Sequence, residues 1–367
     1  MNNFAEISVT AFVLVFMYIL MFFTQKLSSQ RQFYGVSLNS DYFKCEEFKS
    51  LDKKFKLLLT VGFVIFMIIS FVAVCLFENF IIYYAISIIG FLLYQFVVFV
   101  HIHNKVKELK KELSLEVEDL ELKKTNIILD TDFINKKNKV ISKYSILFLI
   151  PMVINILVCI YVITQYNLMP DMIPTHWGFN GEIDAYSQKS FISVFGIVFV
   201  NIVIATIVYI SSVGSLKSRA KLNIDSLEES KKSHLTYLNK YGITFFILNL
   251  SLATVFIVTL ISTVNVSNIN PFIMIFTTVL LIISASYLTY LYFKSPGNSK
   301  NSAYSVDDSD DKWLLGTIYN NPQDPSLFVQ KRFGVGWTIN IGNTKGKLFL
   351  IFTFVLIFAI IFIAYNI

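Results

Sequence analysis

The segment LLLTVGFVIFMIISFVAVCLF, residues 57–77, runs from Leu57 to Phe77 without a charged side chain. A helix rises 1.5 Å per residue, so about 20 apolar residues cross the roughly 30 Å hydrocarbon core of a bilayer. Inside lipid, only helices and closed barrels pair all of their backbone polar groups. The segment therefore predicts a transmembrane helix.

Seven other stretches of the chain have the same character. The eight predicted spans are Ile7–Gln25, Leu57–Phe77, Phe80–His101, Tyr144–Tyr166, Phe191–Val213, Tyr241–Val264, Pro271–Phe293 and Leu348–Ile367. Hydrophobic residues form 55% of the 367-residue chain and charged residues only 15%, which is typical of a multi-span membrane protein and not of a soluble enzyme. The sequence predicts an all-α polytopic membrane protein with about eight transmembrane helices and a small β-rich cytoplasmic cap.

The cations predict the orientation, because Lys and Arg accumulate in cytoplasmic loops. Of the 31 Lys and Arg residues, all except Lys189 lie in the loops after spans 1, 3, 5 and 7. This bias places both termini and the loop around Lys189 outside the cytoplasm of a plasma-membrane protein. The net charge of +6 is explained by cations that face anionic lipid, so it does not indicate direct nucleic-acid binding.

The chain is divided here into five regions. Residues 1–143 form a three-span region with a cytoplasmic insert, 144–213 hold spans 4 and 5 with the loop between them, 214–293 hold spans 6 and 7 with the preceding loop, 294–347 form the cytoplasmic cap, and 348–367 form the final span. Apolar residues at helical spacing predict that His103–Lys124 prolongs span 3 as an amphipathic helix. Residues 217–239 show the same spacing more weakly, so a helix is predicted there too. Turn residues at 130–132 and 135–138 predict a short hairpin over 125–142. Its acids are most simply part of a solvated turn, and a metal-binding pair is the alternative.

The cap has two parts of different composition. Residues 294–311 have the polar composition of a disordered segment, whereas aromatic and branched runs broken by Asn-Pro and Asp-Pro turns follow from Trp313. Aromatic and basic residues adjoin one another there, which favours a docking surface for a cytoplasmic regulator. Its candidate residues are Trp313, Lys331, Arg332 and Phe333.

Two segments of the sequence echo each other. QRQFYGVSLN, residues 30–39, follows span 1, and QKRFGVGWTIN, residues 330–340, precedes span 8. Either the two segments pack against each other, or the similarity is chance in a Phe-rich chain.

The predicted spans contain polar residues but no Asp, Glu, Lys or Arg in their cores. Gln95, Asn155, Asn201 and Asn249 are expected to form hydrogen bonds between helices. Transporters coupled to protons use ionisable groups in the middle of the membrane, so this composition disfavours such a transporter.

The loop PDMIPTHWGFNGEIDAY, residues 170–186, is the most polar segment between two spans. Two prolines forbid a regular helix, and Gly and Asn supply tight turns, so we expect a rigid outer lid. His176 with a carboxylate could form an acid–base pair, and four side chains could ligate a divalent cation; the alternative is a structural or ligand-recognition loop. The candidate ligand-binding residues are Pro170, Asp171, Pro174, His176, Trp177, Gly181, Glu182 and Asp184.

The segment MPDMIPTHWGFNGEIDAYSQK resembles the signature P-x-x-[IV]-P-x-H-[WF]-x-x-x-G-x-x-[DN] of a bacterial membrane family of unknown function, which includes the SdpI-type immunity proteins. The resemblance covers span 4, the loop and span 5, and Asp311–Ile341 resembles a second uncharacterised domain often appended to such proteins. SdpI-type proteins protect a producing cell from a secreted peptide toxin and hold a repressor at the membrane. The resemblance implies such a role here, although eight spans and large inserts are departures from that type.

We therefore expect a non-enzymatic receptor, immunity or signal-transduction component that senses an extracellular peptide or envelope ligand. Its partners would be the bilayer, that peptide and a cytoplasmic regulator, and no cofactor, catalytic residue or resident metal is expected. An outer-leaflet enzyme that uses a metal or His176 is the first alternative. A small-solute or lipid transporter is the second.

Overall fold

The computed structural model describes residues 3–28, 31–76, 80–113, 130–178, 180–218, 222, 226–295 and 310–366, without the side chains of 3–10, 74–76, 80–85 and 360–366. In these ranges the chain forms eight α-helices. They are α1 Asn3–Leu27, α2 Glu46–Leu76, α3 Phe80–Glu112, α4 Thr131–Gln165, α5 Phe191–Lys217, α6 Leu227–Asn265, α7 Pro271–Phe293 and α8 Thr344–Asn366. Each predicted span falls on one of these helices.

Six of the helices, α2 to α7, are long and apolar enough to cross a membrane. The described apolar part of α1 is shorter, Ala11–Leu27. Much of the apolar surface of the six helices is exposed, as lipid-facing side chains require. The chain is an all-α polytopic membrane protein, as its sequence predicts.

Short strands accompany the helices. They are β1 Gln32–Phe33, β2 Val36–Ser37, β3 Met172–Trp177, β4 Ile183–Gln188, β5 Trp313–Leu314, β6 Ile318–Tyr319, β7 Phe328–Gln330 and β8 Trp337–Ile339. Consecutive strands pair into four two-stranded sheets, two of them within the predicted β-rich cap. The chain divides into two compact units: unit 1 comprises 1–128, 298–320 and 330–338, and unit 2 comprises 129–297, 321–329 and 339–367.

The prediction of a hairpin over 125–142 is wrong for the described part of that segment, from Asp130 onward. α4 already begins at Thr131, because the Asp130 side chain accepts a hydrogen bond from the Phe133 amide at 3.0 Å and caps the helix. Lys136 pairs with Asp132 at 2.6 Å, one turn away. The residues interpreted as turn formers therefore start a helix, and Asp130 pairs with Lys231 instead of holding a metal.

Two other predictions for the loops are tested only in part. α3 continues beyond the predicted span to Glu112, which confirms the helical extension that far, and residues 114–129 lie outside the described residues. α6 starts at Leu227, so the helical prediction for 217–239 holds from there. Most of the segment expected to be disordered, 296–309, also lies outside the described residues.

The two echoed segments pack together in unit 1. The Tyr34 and Phe333 rings stack with centroids 5.6 Å apart, and Phe333 also stacks on Phe99 of α3 at 4.2 Å. Arg332 Nη1 donates to the Gly35 carbonyl at 3.3 Å. The Tyr34 side chain is completely buried and donates its hydroxyl to Asp52 at 2.9 Å. The packing interpretation of the echo is confirmed, and the shared aromatic and Gly residues build a common core.

A buried ionic centre joins the same segments. Asp310 accepts from Arg332 at 2.6 Å, from Lys110 at 2.7 Å and from the Ser37 amide at 3.1 Å. Burial acts to raise the pKa of the Asp310 carboxyl, but the charges of Arg332 and Lys110 and the hydrogen bonds outweigh burial and lower the pKa. Asp310 is therefore ionised in the folded unit, where it neutralises two cations that hardly reach solvent.

We predict that Asp310→Asn destabilises unit 1 by about 3 kcal/mol, because it leaves Arg332 and Lys110 buried without their counter-charge. Thermal unfolding of the purified chain measures this difference, and the neighbouring exposed Asp311→Asn is the matched control. Since the folded pKa of Asp310 is lowered, its contribution is complete above the ordinary value of 3.8 and is lost as the pH falls below it. Equal melting temperatures for both variants at neutral pH would show that the ionic centre is dispensable.

Candidate functional site

The polar loop between α4 and α5 folds as an antiparallel β-hairpin of unit 2. Met172 pairs with Gln188, Ile173 with Ser187 and Pro174 with Tyr186, and the register then shifts at His176. The turn is closed by hydrogen bonds from the Gly178 amide to the Glu182 carbonyl at 2.8 Å and from the Gly181 amide to the Gly178 carbonyl at 2.9 Å. Phe179 lies outside the described residues. The shift is an irregularity of the β-bulge kind, which re-aims side chains.

The base of the hairpin is anchored in the helices beneath it. The Ile173 side chain of β3 is completely buried in a cluster with Cys159, Val194 and Leu260 of α4, α5 and α6. The Lys189 amide donates to the Asp171 carbonyl at 2.7 Å, and its ammonium group donates to the Met169 carbonyl at 2.6 Å. Lys189, the single Lys or Arg in the connection between α4 and α5, therefore closes the base of the hairpin.

The tip of the hairpin is held by the connection between α6 and α7. The Ile269 amide donates to the Gly181 carbonyl at 2.8 Å, and the Trp177 indole N–H donates to the Ser267 carbonyl at 3.1 Å. The Ile183 amide donates to Asn268 Oδ1 at 3.2 Å. Three consecutive residues, Ser267 to Ile269, therefore fix the tip, each through one hydrogen bond. Ser267 and Ile269 use their backbone groups, and Asn268 uses its side chain.

Gly181 is required at the tip for two physical reasons. Its φ of +80° lies in the left-handed region that L side chains rarely adopt. A Cβ atom built on it would lie 2.0 Å from the Ile269 carbonyl oxygen, far inside van der Waals contact. The backbone of the hairpin can approach the α6–α7 connection only because this position has no side chain.

His176 pairs with one of the loop carboxylates on the exposed surface of the hairpin. His176 Nδ1 lies 2.6 Å from Asp184 Oδ1, so the imidazole N–H donates to the carboxylate in the tautomer that this distance favours. His176 is 69% exposed and Asp184 48% exposed. The carboxylate orients the ring, which leaves Nε2 facing solvent as the group that a ligand can reach.

The other candidate residues of the loop do not join the His176–Asp184 pair. Pro174 is buried within β3, Pro170 and Asp171 precede it, and the exposed Glu182 accepts a hydrogen bond from Asn180 at 2.6 Å. Among the described residues, no group of three or more His, Cys, Asp or Glu side chains could hold a metal ion. The four side chains considered as cation ligands therefore separate into one His–Asp pair and two carboxylates outside it.

The candidate docking residues of the cap lie in unit 1. Trp313, Arg332 and Phe333 are 5%, 3% and 8% exposed, and the Arg332 guanidinium lies over the Trp313 ring at 5.0 Å. Lys331 is exposed. Three of the four side chains thus form the interior of the folded unit, so a regulator could contact only Lys331 among them.

A further set of polar residues in unit 2 was not singled out from the sequence. The Asn340 side chain is fully buried, donates to the Asn321 and Asp324 carbonyls at 2.9 Å, and accepts from the Asn321 and Gly342 amides. Asn343 donates to the Ser326 carbonyl at 3.1 Å and accepts from the Gly346 amide in the first turn of α8. The closely spaced Asn, Pro and Gly residues were the available signal, since side-chain amides satisfy backbone groups in such turns.

Two family models match parts of the chain. Residues 153–202 match the Domain of unknown function (DUF1648), and residues 322–347 match the Family of unknown function (DUF5808). The first match covers the end of α4, the whole hairpin and the start of α5, and the second covers the Asn340 network except Asn321. Together they span about a fifth of the chain. No curated protein and no solved structure matches the chain.

We predict that Gly181→Ala detaches the tip of the hairpin, because the new methyl group and the Ile269 carbonyl cannot occupy the same space. Protease cleavage within 178–184 should accelerate at least tenfold, which corresponds to about 1.4 kcal/mol of lost docking free energy. Gly336→Ala is the matched control, since Gly336 also has a positive φ, of +103°, but nothing lies within 4 Å of its added Cβ. A cleavage rate that Gly181→Ala leaves at the wild-type value would contradict the docked tip.

Proposed function

We propose that this integral membrane protein is a non-enzymatic receptor or immunity component that recognises an extracytoplasmic peptide or envelope ligand through the β3–β4 hairpin. One observation carries the proposal: the hairpin is fixed at its base and tip while its outer surface is exposed. A surface that is already ordered loses little conformational entropy when it binds a partner. Such a surface suits recognition.

The chemistry of the exposed surface supports a polar segment of a peptide as the ligand. His176 offers Nε2, Asp184 offers a second carboxylate oxygen, and the half-exposed Tyr186 ring adjoins them on β4. Aromatic side chains provide contact area at low entropic cost, and histidine can accept or donate a hydrogen bond near neutral pH. A two-stranded sheet also has unpaired strand edges, which extended peptides can join.

The orientation is part of the proposal and rests on the distribution of the cations. The hairpin carries Lys189 alone, whereas the other 30 Lys and Arg residues lie in loops that alternate with it across the predicted spans. The positive-inside tendency then places the hairpin outside the plasma membrane and Lys331 inside. The exposed cations of the inner loops are the candidate contact for a cytoplasmic regulator.

The His176–Asp184 pair also favours a second candidate, an outer-leaflet hydrolase in which His176 acts as a general base. A carboxylate that orients an imidazole is the arrangement that such a base requires. Within the described residues, however, no Ser, Thr or Cys side chain is hydrogen-bonded to His176. The high exposure of the pair also leaves it in water, where acid–base groups gain little from a preorganised environment.

We predict that His176→Ala lowers ligand capture at least fivefold while membrane abundance stays within about 20% of wild type, since an exposed ion pair contributes only about 0–1 kcal/mol to folding. The measurement uses a photo-crosslinking amino acid at Tyr186 in living cells and mass spectrometry of the peptides attached to the chain. Asp184→Asn should give an intermediate loss, because the ring remains but its orientation is less restricted.

Two controls separate recognition from folding and from orientation. Trp177→Ala removes the hydrogen bond to Ser267 and should lower the amount of protein in the membrane. Ligand capture per remaining molecule should fall only by the fraction of molecules whose hairpin tip is detached. A Cys at Glu182 in a background without native Cys should react with a membrane-impermeant maleimide in intact cells. The proposal would be refuted if the His176→Ala variant captured as much ligand per molecule as wild type. It would also be refuted if Glu182→Cys were labelled only after the cells are lysed.

A further inference from the structure

The outer edge of β4 carries backbone groups that the hairpin does not use. In an antiparallel pair, opposite residues alternate between pairs that exchange two hydrogen bonds and pairs whose N–H and C=O groups point away from the partner strand. The Lys189 amide donates to the Asp171 carbonyl opposite it, so this pair is a bonded one. Three residues earlier in the chain, Tyr186 lies opposite Pro174 in the same register, so this pair is a non-bonded one, which suits a proline without an N–H. The N–H and C=O of Tyr186 therefore point away from β3.

These two groups of Tyr186 are open to another chain. Among the described residues, neither of them is hydrogen-bonded outside the hairpin. Tyr186 is 49% exposed, and its neighbours Asp184 and Ala185 are exposed as well. Two residues further on, the edge is already occupied, because the Ser193 hydroxyl donates to the Gln188 carbonyl at 3.0 Å. The open part of the edge is therefore centred on Tyr186, and a strand edge of this kind is a template for pairing.

The opposite edge of the hairpin, on β3, is less available. β3 contacts α6, and the side chains of Ile173 and Pro174 are buried. Pro174 has no N–H to offer to an added strand, and proline on an edge strand prevents pairing there. Of the two edges, β4 is thus the one that an extended chain can reach and bond to.

We propose that an extended segment of the peptide recognised by the hairpin joins β4 as a third strand and bonds through its backbone to both the N–H and the C=O of Tyr186. This strand addition rests on the proposed function, since it specifies how the same hairpin holds its peptide. The partner is defined by its backbone, which is extended and has free N–H and C=O groups at the paired position. Main-chain hydrogen bonds provide affinity in this mode of binding, and neighbouring side chains provide selectivity.

The side chain of Tyr186 sets a preference for one position of the added strand. Ile173 is completely buried in the helix cluster and lies opposite Ser187, so this pair marks the face of the hairpin that points toward the helices. Side chains alternate between the two faces, so the Tyr186 ring lies on the outer face. A ligand residue opposite Tyr186 lies beside this ring, where β-branched and aromatic side chains gain most from cross-strand contact. Thr, Val or Tyr suits that position.

The test uses the full-length chain in nanodiscs and a pool of blocked heptapeptides that combine Thr, Val and Tyr at random, residues that favour extended chains. Each peptide carries a benzophenone at its amino end, and irradiation should attach the pool to residues of the hairpin, as mapped by mass spectrometry. Tyr186→Pro should lower the yield about three- to tenfold relative to Tyr186→Ala, the effect of one lost hydrogen bond. Both variants lose the ring, and only proline lacks the N–H.

Two controls separate the edge of β4 from the rest of the hairpin. Met172→Pro removes an N–H that points outward from β3, since Met172 lies opposite Gln188 in a non-bonded pair, and the yield should not change. A pool methylated at every backbone nitrogen has the same side chains and should label wild type at least threefold less. This second comparison leaves the protein unaltered, so it decides the question even where a proline variant unfolds. The rate of protease cleavage within 178–184 shows whether each variant keeps its hairpin.

Four outcomes would overturn the strand addition. They are equal yields for Tyr186→Pro and Tyr186→Ala with the hairpin intact, equal labelling by the plain and methylated pools, a loss caused by Met172→Pro instead of Tyr186→Pro, and no labelling of the hairpin by the plain pool. None of them affects the proposed function while His176→Ala still lowers capture in living cells. Conversely, wild-type capture by His176→Ala together with a loss in Tyr186→Pro would refute recognition through His176 and retain the added strand.

Discussion

The arrangement of the hairpin depends on one backbone hydrogen bond, from the Ile269 amide to the Gly181 carbonyl. Its geometry requires that position 181 have no side chain and a positive φ, a combination that glycine alone provides without strain. Once this bond forms, Trp177 and Ile183 reach Ser267 and Asn268 on either side of it. The base is fixed independently by Ile173 and Lys189. The exposed His176–Asp184 pair is thus carried on a structure held at both ends.

The two units solve the problem of buried polar groups in different ways. In unit 1, full charges are buried outside the predicted membrane core, and Asp310 compensates Arg332 and Lys110 within one centre. Within the apolar segments of α4, α5 and α6 in unit 2, the helices bury carboxamides without charge, and Asn201 and Asn249 bond to neighbouring helices. The difference follows from the environment, since an ion pair in hydrocarbon has a far higher desolvation cost than an amide.

The sequence predicted the helices well because the membrane imposes one dominant requirement, a sufficient apolar length, that can be read locally. It failed at Asp130, where the same residue types form turns and helix caps, and only the position of the following amides decides between them. His176 and Asp184 were both candidates, but their pairing needs the shifted register of β3 and β4. The contacts of Gly181 with Ile269 and of Asn340 with Asn321 join distant parts of the chain. Trp313, Arg332 and Phe333 were interpreted as surface residues because a sequence does not show which basic and aromatic residues bury one another.

The central claim is that the hairpin is docked on the α6–α7 connection and not free in solvent. Residue-resolved hydrogen exchange of the chain in nanodiscs tests it most directly, because a closed hydrogen bond protects its amide from exchange. The account predicts that the Ile269 amide exchanges at least about tenfold more slowly than an amide in an unstructured peptide, and that the Gly178 and Gly181 amides are protected with it. Exchange of all three amides at the unstructured rate would contradict the account.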